Sequence, residues 1–259
     1  VGGVHKVRRI VTSRRGGVSK PPYESFNLGN GVGDEPAAVA ANRDRLAREV
    51  ALAPARIAWM HQVHGADVTV LDAAGVPVGD RPGAPAGDPA DSAGPAPRCD
   101  APRCDALVTG APGLALAVLV ADCVPVLLAD RRAGVVAAVH AGRPGAAAGI
   151  VPRTLQAMCA HGARPADIDA LLGPAICGSC YEVPPDMQAN VERRLPGSAA
   201  RTTAGTTGLD LRAGIARQLA AAGVPEVVHD PRCTAEDPDL YSYRRDGVTG
   251  RQAGLVWLA

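Results

Sequence analysis

Residues 114–149 carry the strongest apolar pattern in the chain: LALAVLVADCVPVLLAD, then RRAGVVAAVHAGRPGAAAG. Apolar runs rich in β-branched residues and punctuated by Pro125 and Gly134 read as buried strands rather than helix. Each run ends on a soft, metal-capable side chain, Cys123 after the first and His140 after the second. Two adjacent strands are therefore expected to bring a thiol and an imidazole to the same end of a sheet. Weaker strand patterns cover residues 7–12, 106–109, 167–176 and 254–258. Residues 57–63 and 67–71 read as two strands turning at His64-Gly65. Helical spacing appears in four places. A helix capped by Asp34 and opened by Pro36 runs through roughly Val50. A second follows Gly145 to about Ala160, with Ile150, Leu155 and Met158 inward, and two more cover residues 185–195 and 209–222. The strand, glycine turn and helix start around His140 form a natural anion-binding corner.

Two stretches break the pattern. Residues 72–105 are rich in Pro, Gly, Ala and Asp and poor in large apolar groups, so they cannot offset their ordering entropy, and a mobile insertion is expected. An immediate repeat, Pro97-Arg98-Cys99-Asp100-Ala101 then Pro102-Arg103-Cys104-Asp105-Ala106, marks a small duplication there, and neither Cys99 nor Cys104 is assigned a catalytic role. Residues 13–35 form a long polar loop in which Arg14, Arg15, Ser19 and Asn27 stand among glycines, a mixture suited to holding an anion.

Composition narrows the class. The 259 residues are 47% apolar, enough for a sizeable core, and no low-complexity linker divides them into two core-forming halves, so one domain spanning residues 1–259 is expected. Phe26 is the only phenylalanine, and the core must be built from Val, Leu, Ile and Ala. A formal charge of +1, spread along the chain, carries no footprint of a nucleic-acid binder. Asp122 and Pro125 interrupt the one run approaching a membrane span, and the N-terminal stretch has no apolar signal core. A soluble, cytoplasmic protein with no membrane partner is expected, its seven cysteines mostly free thiols or ligands.

The chemistry concentrates in three residues. His64, Cys123 and His140 each stand at a strand end beside a turn-forming residue. Two imidazoles and a thiolate complete the protein ligands of a catalytic zinc site and leave a fourth position open. Copper would accept the same donors, but multicopper oxidation needs more histidines than the six present. Zinc brings the pKa of its water down towards about 7, so the trio points to metal-assisted hydrolysis or group transfer. Cys177 and Cys180 have C-x-x-C spacing, compatible with redox chemistry or half a zinc site. No second C-x-x-C completes four ligands, and Pro184 and Pro185 replace the helix that a thioredoxin-like motif requires. A glycine-rich wall of the active site is the favoured reading of that motif.

The motifs HQVHGADV, CDALVT, ADCVPVLLAD, AVHAG, LGPAICGSCYEV and YSYRRDGVTGR, in this order, with SRRGGVS and NLG near the start, resemble the laccase-domain family of bacterial purine nucleoside phosphorylases. The resemblance runs from about Thr12 to Leu258 without residues 72–98. It implies an α/β (α+β) fold, a single domain of layered mixed sheets flanked by helices, with zinc on His64, Cys123 and His140. It also implies phosphorolysis of adenosine, inosine, guanosine and methylthioadenosine, with adenosine deamination as a second activity. The partners are then a purine nucleoside and phosphate, handled by a monomer or small homo-oligomer. Arg14, Arg15, Arg244 and Arg251, with Asn27, are candidates to hold phosphate; Asp122 or Glu182 is the candidate proton shuttle beside Cys123. His61 is expected to brace the site. The family usually reads HAGWRG where this chain has His140-Ala141-Gly142-Arg143-Pro144-Gly145. Pro144 cannot donate, so Arg143 must substitute from one residue earlier, or activity is altered. Peptidoglycan editing by a cysteine or metal hydrolase, copper-dependent phenol oxidation, and a non-catalytic metal or redox module are the competing readings.

Overall fold

The structure, a computed structural model, describes residues 3–78 and 101–259. Strand β1 (Val7–Val11) leads through the long polar loop into helix α1 (Pro36–Glu49), where the missing N–H of Pro36 leaves no intrahelical bond unmade. Glu35, not Asp34, occupies the cap position. The Asp34 carboxylate instead accepts from Ser19, Asn27 and the Glu35 N–H. Six strands follow: β2 (Ile57–Ala58), β3 (Val68–Leu71), β4 (Ala106–Thr109), β5 (Ala115–Val120), β6 (Val124–Asp130) and β7 (Val135–Ala141). After β7 come α2 (Arg143–Ala147), α3 (Ile150–Ala160), β8 (Ile168–Leu172) and α4 (Pro185–Arg194). The chain then makes β9 (Ala199–Arg201), β10 (Thr207–Leu209), α5 (Leu211–Ala221), β11 (Glu226–His229), α6 (Tyr243–Asp246) and β12 (Gln252–Leu258).

The strands assemble into two mixed sheets and one small ribbon. One sheet has the order β1-β12-β5-β2, the other β11-β8-β6-β7-β4-β3, and β9 pairs with β10. β6 and β7 are buried along their whole length, so alternate side chains must serve two different cores. Val124, Val126 and Leu128, with Ala137 and Val139, pack against Leu155 and Met158 of α3 and Ile215 of α5. The intervening Leu127, Ala129, Val136 and Ala138 pack against Leu116 and Val118 of β5 and Val256 and Leu258 of β12. The outer face of the four-stranded sheet, including Ala117, Leu255 and Trp257, is covered by Leu46 and Ala47 of α1. The layers therefore run helix, sheet, sheet, helices: mixed sheets flanked by helices.

Four sequence expectations change. The run from Leu114 to Asp130 is two strands in different sheets, and Cys123 lies where the chain steps from one to the other. Pro125 falls inside β6, opposite His140 in the antiparallel ladder. Residues 57–71 are not a hairpin, because β2 and β3 also belong to different sheets and the chain between them crosses the same gap. The helix expected after Gly145 starts at Arg143 and is split in two at Gly149, whose φ of +83° no helix accepts. Finally, both ends of the stretch expected at 72–105 to be a mobile insertion belong to the fold. Residues 72–78 turn back onto β3 through the Val78 N–H, which donates to Val70, while Cys104 and Asp105 are fully buried and lead into β4. The rest of that expected insertion, residues 79–100 with Cys99, lies outside the described residues. No helix among the described residues is long and apolar enough to cross a membrane.

Leu127 is completely buried between the two sheets. Leu127→Ala should lower stability by about 2–5 kcal/mol. An unchanged urea midpoint would show that contact between the sheets is not what holds the layers together.

Candidate metal centre and active site

The antiparallel pairing of β6 with β7 puts the beginning of one strand beside the end of the other. Cys123 precedes β6 and His140 is the penultimate residue of β7, so register alone makes them neighbours. His64 arrives from the segment crossing between sheets. Two non-glycine residues here adopt left-handed backbone, His64 at φ +59° and Asp122 at φ +94°. Such conformations cost about 1–3 kcal/mol each and persist only where surrounding bonds enforce them.

Those bonds are explicit. The buried Asp105 carboxylate accepts from the backbone N–H groups of Val63, His64 and Gly65, at 3.3, 2.9 and 2.7 Å. The same carboxylate meets His140 Nδ1 at 2.7 Å, and the Asp105 carbonyl accepts from the His140 N–H at 2.7 Å. With Nδ1 committed, His140 Nε2 is the nitrogen left to face Cys123, the arrangement that orients metal-ligating histidines. Asp122 is pinned equally firmly. Its carboxylate accepts from Thr234 Oγ1 at 2.6 Å and the Arg244 N–H at 2.7 Å, while its carbonyl accepts from Ile176.

His64 Nε2 lies 3.9 Å from Cys123 Sγ, and donor atoms of His64, Cys123 and His140 all fall within 4.8 Å of one another. Tetrahedral zinc needs donor separations of roughly 3.3–3.8 Å, given its bond lengths to nitrogen and sulfur. The His64–Cys123 pair is within a few tenths of an ångström of that spacing, and His140 stands close enough to complete the set. Gly142 leaves the space for it: a Cβ there would stand 2.8 Å from His64 Cδ2 and 3.1 Å from Cys123 Sγ. Burial raises the pKa of the Cys123 thiol, but hydrogen bonds and charge from His140 and His64 outweigh it and bring the pKa down to about 6. Burial lowers the pKa of His140, and its bonds to Asp105 and Cys123 reverse this, raising it to about 9. Without a cation the pair is thiolate and imidazolium; a soft cation can replace the proton.

The trio opens into a cavity of about 610 Å³ whose wall also carries Asp122, Arg143, Arg244 and Arg251. Arg143 is the first residue of α2. Arg244 lies over the Tyr181 ring at 5.0 Å and donates to the Glu182 carbonyl. Arg251 is largely buried, which lowers its pKa, and donates to the carbonyls of Thr249 and Gly250. Other expected site residues stand elsewhere. Arg14 stacks on Tyr241 and pairs with Glu24 and Asp246; Arg15 pairs with Asp239 at the surface. Asn27 is buried, with its amide spent on Gly29, Asp34 and the Arg251 N–H. The Glu182 side chain is exposed in a separate groove beside Arg201. Within the long N-terminal loop Asn42 bonds Val18, Ser19, Ser25 and Asn27, while the end of the loop, residues 29–32, lines the cavity. His61 lines the cavity and its backbone bridges to residues 102–104. Asp105, which orders the whole centre, fell within the expected insertion; its signals were its place in the CDALVT motif and its position directly before a strand.

A His/Cys/His metal-capable centre on the rim of a two-sheet sandwich, facing a cavity ringed by arginines, defines the class. Over residues 8–259 the sequence matches the multi-copper polyphenol oxidoreductase laccase family, and the chain belongs to that family. A protein of Corynebacterium glutamicum named purine nucleoside phosphorylase is 56% identical over 252 residues, covering 97% of this chain and 94% of its own. One of Mycobacterium tuberculosis with the same name is 53% identical over 253 residues, covering 98% and 92%. The crystal structure of YlmD from Geobacillus stearothermophilus superposes with a TM-score of 0.82 at 32% identity, covering 97% of this chain and 92% of that one.

In metal-free protein the Cys123 pKa of about 6 makes the thiolate dominant from neutral pH upward. Alkylation of Cys123 by iodoacetamide, followed by mass spectrometry, should reach its plateau near neutrality, whereas an ordinary thiol climbs through about pH 8.5. Asp105→Asn should move that plateau to higher pH. A wild-type rate that keeps climbing into the alkaline range would remove the ion pair from the account.

Proposed function

We propose that this chain is a zinc-dependent purine nucleoside phosphorylase, acting on adenosine, inosine, guanosine and methylthioadenosine, with adenosine deamination as a possible second outcome at the same centre. One observation carries the reading: the trio and three arginines, Arg143, Arg244 and Arg251, share one cavity wall. Its volume suits a nucleoside with phosphate rather than a polymer. The names of the relatives point the same way.

Phosphorolysis breaks the bond between C1′ of the sugar and N9 of the purine as a phosphate oxygen bonds to C1′; the purine leaves with a proton. Three demands follow for the protein. A dianion must be held against the sugar, which guanidinium groups do through paired, charge-assisted bonds. Arg143 answers the departure at Arg143-Pro144, since its side chain lies in the cavity wall and Pro144 sits in the first turn of α2, where no donor is needed. The purine must be held with its leaving nitrogen accessible, and Tyr181, Tyr243 and Met60 supply wall for its faces. His64, Cys123 and His140 would hold zinc, which when bound supplies a Lewis-acidic positive charge beside the reacting groups. Asp122 serves as a fixed post rather than a shuttle, because Thr234 and Arg244 already occupy its oxygens. Glu182 has no part in this reading.

Zinc-loaded protein incubated with adenosine, with and without phosphate, should yield adenine only when phosphate is present, resolved by chromatography from inosine and hypoxanthine. Cys123→Ala should abolish the product. Arg143→Ala should raise the KM for phosphate by roughly 10- to 100-fold, the loss of one charged hydrogen bond. Inosine without adenine would make the chain a deaminase instead. No product from any purine nucleoside, with zinc stoichiometric, would overturn the reading and turn attention to peptidoglycan precursors; oxygen uptake with phenols after copper loading would favour an oxidase.

A further inference from the structure

The C-x-x-C motif has a partner that sequence spacing conceals. β8 and β11 are parallel neighbours, with Leu172 opposite His229 at their C-terminal ends. Each strand then runs a few residues further into a turn. The first turn begins at Cys177, whose carbonyl accepts from the N–H groups of Cys180 and Tyr181 at 3.1 and 3.0 Å. The second begins at Cys233, whose carbonyl accepts from Glu236 and Asp237 at 3.2 and 2.8 Å. The turns thus share one backbone pattern, and their sequences correspond: Cys-x-x-Cys in one, Cys-x-x-Glu in the other. They are docked by a bridge between Ala175 and Cys233, and the Cys177 N–H points at Cys233 Sγ at 3.3 Å. Cys180 Sγ donates to Glu236 Oε1 at 3.4 Å.

As a result, one donor atom from each of Cys177, Cys180, Cys233 and Glu236 lies within 4.8 Å of all the others. We propose that these four residues form a second metal centre, separate from the His64/Cys123/His140 trio, that binds zinc as a closed structural site. Three thiols and a carboxylate complete a tetrahedral shell, with no place for substrate. Sulfur donors select zinc over the hard cations that oxygen sites prefer. Amide N–H donation to Sγ, as from Cys177 to Cys233, favours the thiolate that a metal requires. Arg245, paired with Asp246, fastens the second turn by donating to the carbonyls of Thr234 and Asp237 at 2.9 and 3.0 Å.

The location gives the site its purpose. Ile176 and Tyr181, which flank the first turn, line the cavity, and Thr234, inside the second, donates to the Asp122 carboxylate next to Cys123. A cation joining the turns would clamp the cavity wall to the crossing segment that carries Cys123. The four residues are positioning residues, acting through Asp122, Ile176 and Tyr181.

The test counts zinc per folded chain by elemental analysis after stripping and reloading with zinc chloride alone, under reducing conditions. Wild-type protein should hold two ions, Cys233→Ser one, and His140→Ala one. Reloading His140→Ala with cobalt should give an intense sulfur-to-cobalt charge-transfer band, which Cys233→Ser in that background removes. Glu236→Gln keeps all the thiols and the shape of the turn, and should weaken zinc binding at the second site at least roughly tenfold. The proposal is overturned if folded, reduced His140→Ala takes up no metal, or if Cys233→Ser and Glu236→Gln each hold as much zinc, as tightly, as wild type. Loss of metal from His140→Ala and retention by Cys233→Ser would separately show that only the trio binds.

Discussion

The Asp105 carboxylate is the interaction on which the rest depends. It is a buried negative charge, and such a charge is tolerated only when its oxygens are saturated by donors. Here the donors are three successive amides of the crossing segment and the His140 ring. One carboxylate therefore imposes the left-handed turn at His64, selects the free nitrogen of His140 and ties the segment between sheets to the central ladder. These constraints are mutually supporting. If the amides are lost, the charge is stranded; without the charge, nothing holds the turn in a conformation that its side chain resists.

Position between layers explains how three donors far apart in sequence come together. Two of the crossings between the two sheets, one through His64 and one through Cys123, meet on the same rim, beside the end of β7 that carries His140. Side chains at the ends of the ladder leave the inter-sheet core and enter the cavity, with Cys123 still packed against that core. Polar chemistry is thus placed against a rigid apolar wall, and Arg143, Arg244 and Arg251 share the cavity with the trio.

Much of this was legible in the sequence. Long apolar runs revealed strands on either side of Cys123 and before His140, and soft donors at the ends of those runs singled out His64, Cys123 and His140. Helices α1, α3, α4 and α5 follow their apolar spacing to within a few residues. What periodicity could not reveal was which sheet a strand joins: β5 and β6 read as one continuous run because both are buried on both faces. Residues 101–105 were misjudged because composition averages over a window, while Asp105 is held by specific bonds that a window does not register. The intramolecular partners of Arg15 and Asn27, Asp239 and Asp34, could not be read from the sequence because they are either distant in it or unremarkable. The Cys233–Glu236 turn escaped for a different reason: its final donor is a glutamate, and its relation to Cys177 exists only through parallel pairing of β8 with β11.

The ladder between β6 and β7 carries a consequence for how this chain can vary. Pro125 faces His140 only because the connection from Asp130 to Val135 has its present length. Side chains on a strand alternate between faces, so slipping the pairing by a single residue exchanges the two faces of β7. His140 would then point into the helical layer and Val139 or Ala141 towards Cys123. The short turn at 131–134 is therefore a ruler: its sequence is free to change, but its residue count is tied to the chemistry at the far end of the strand.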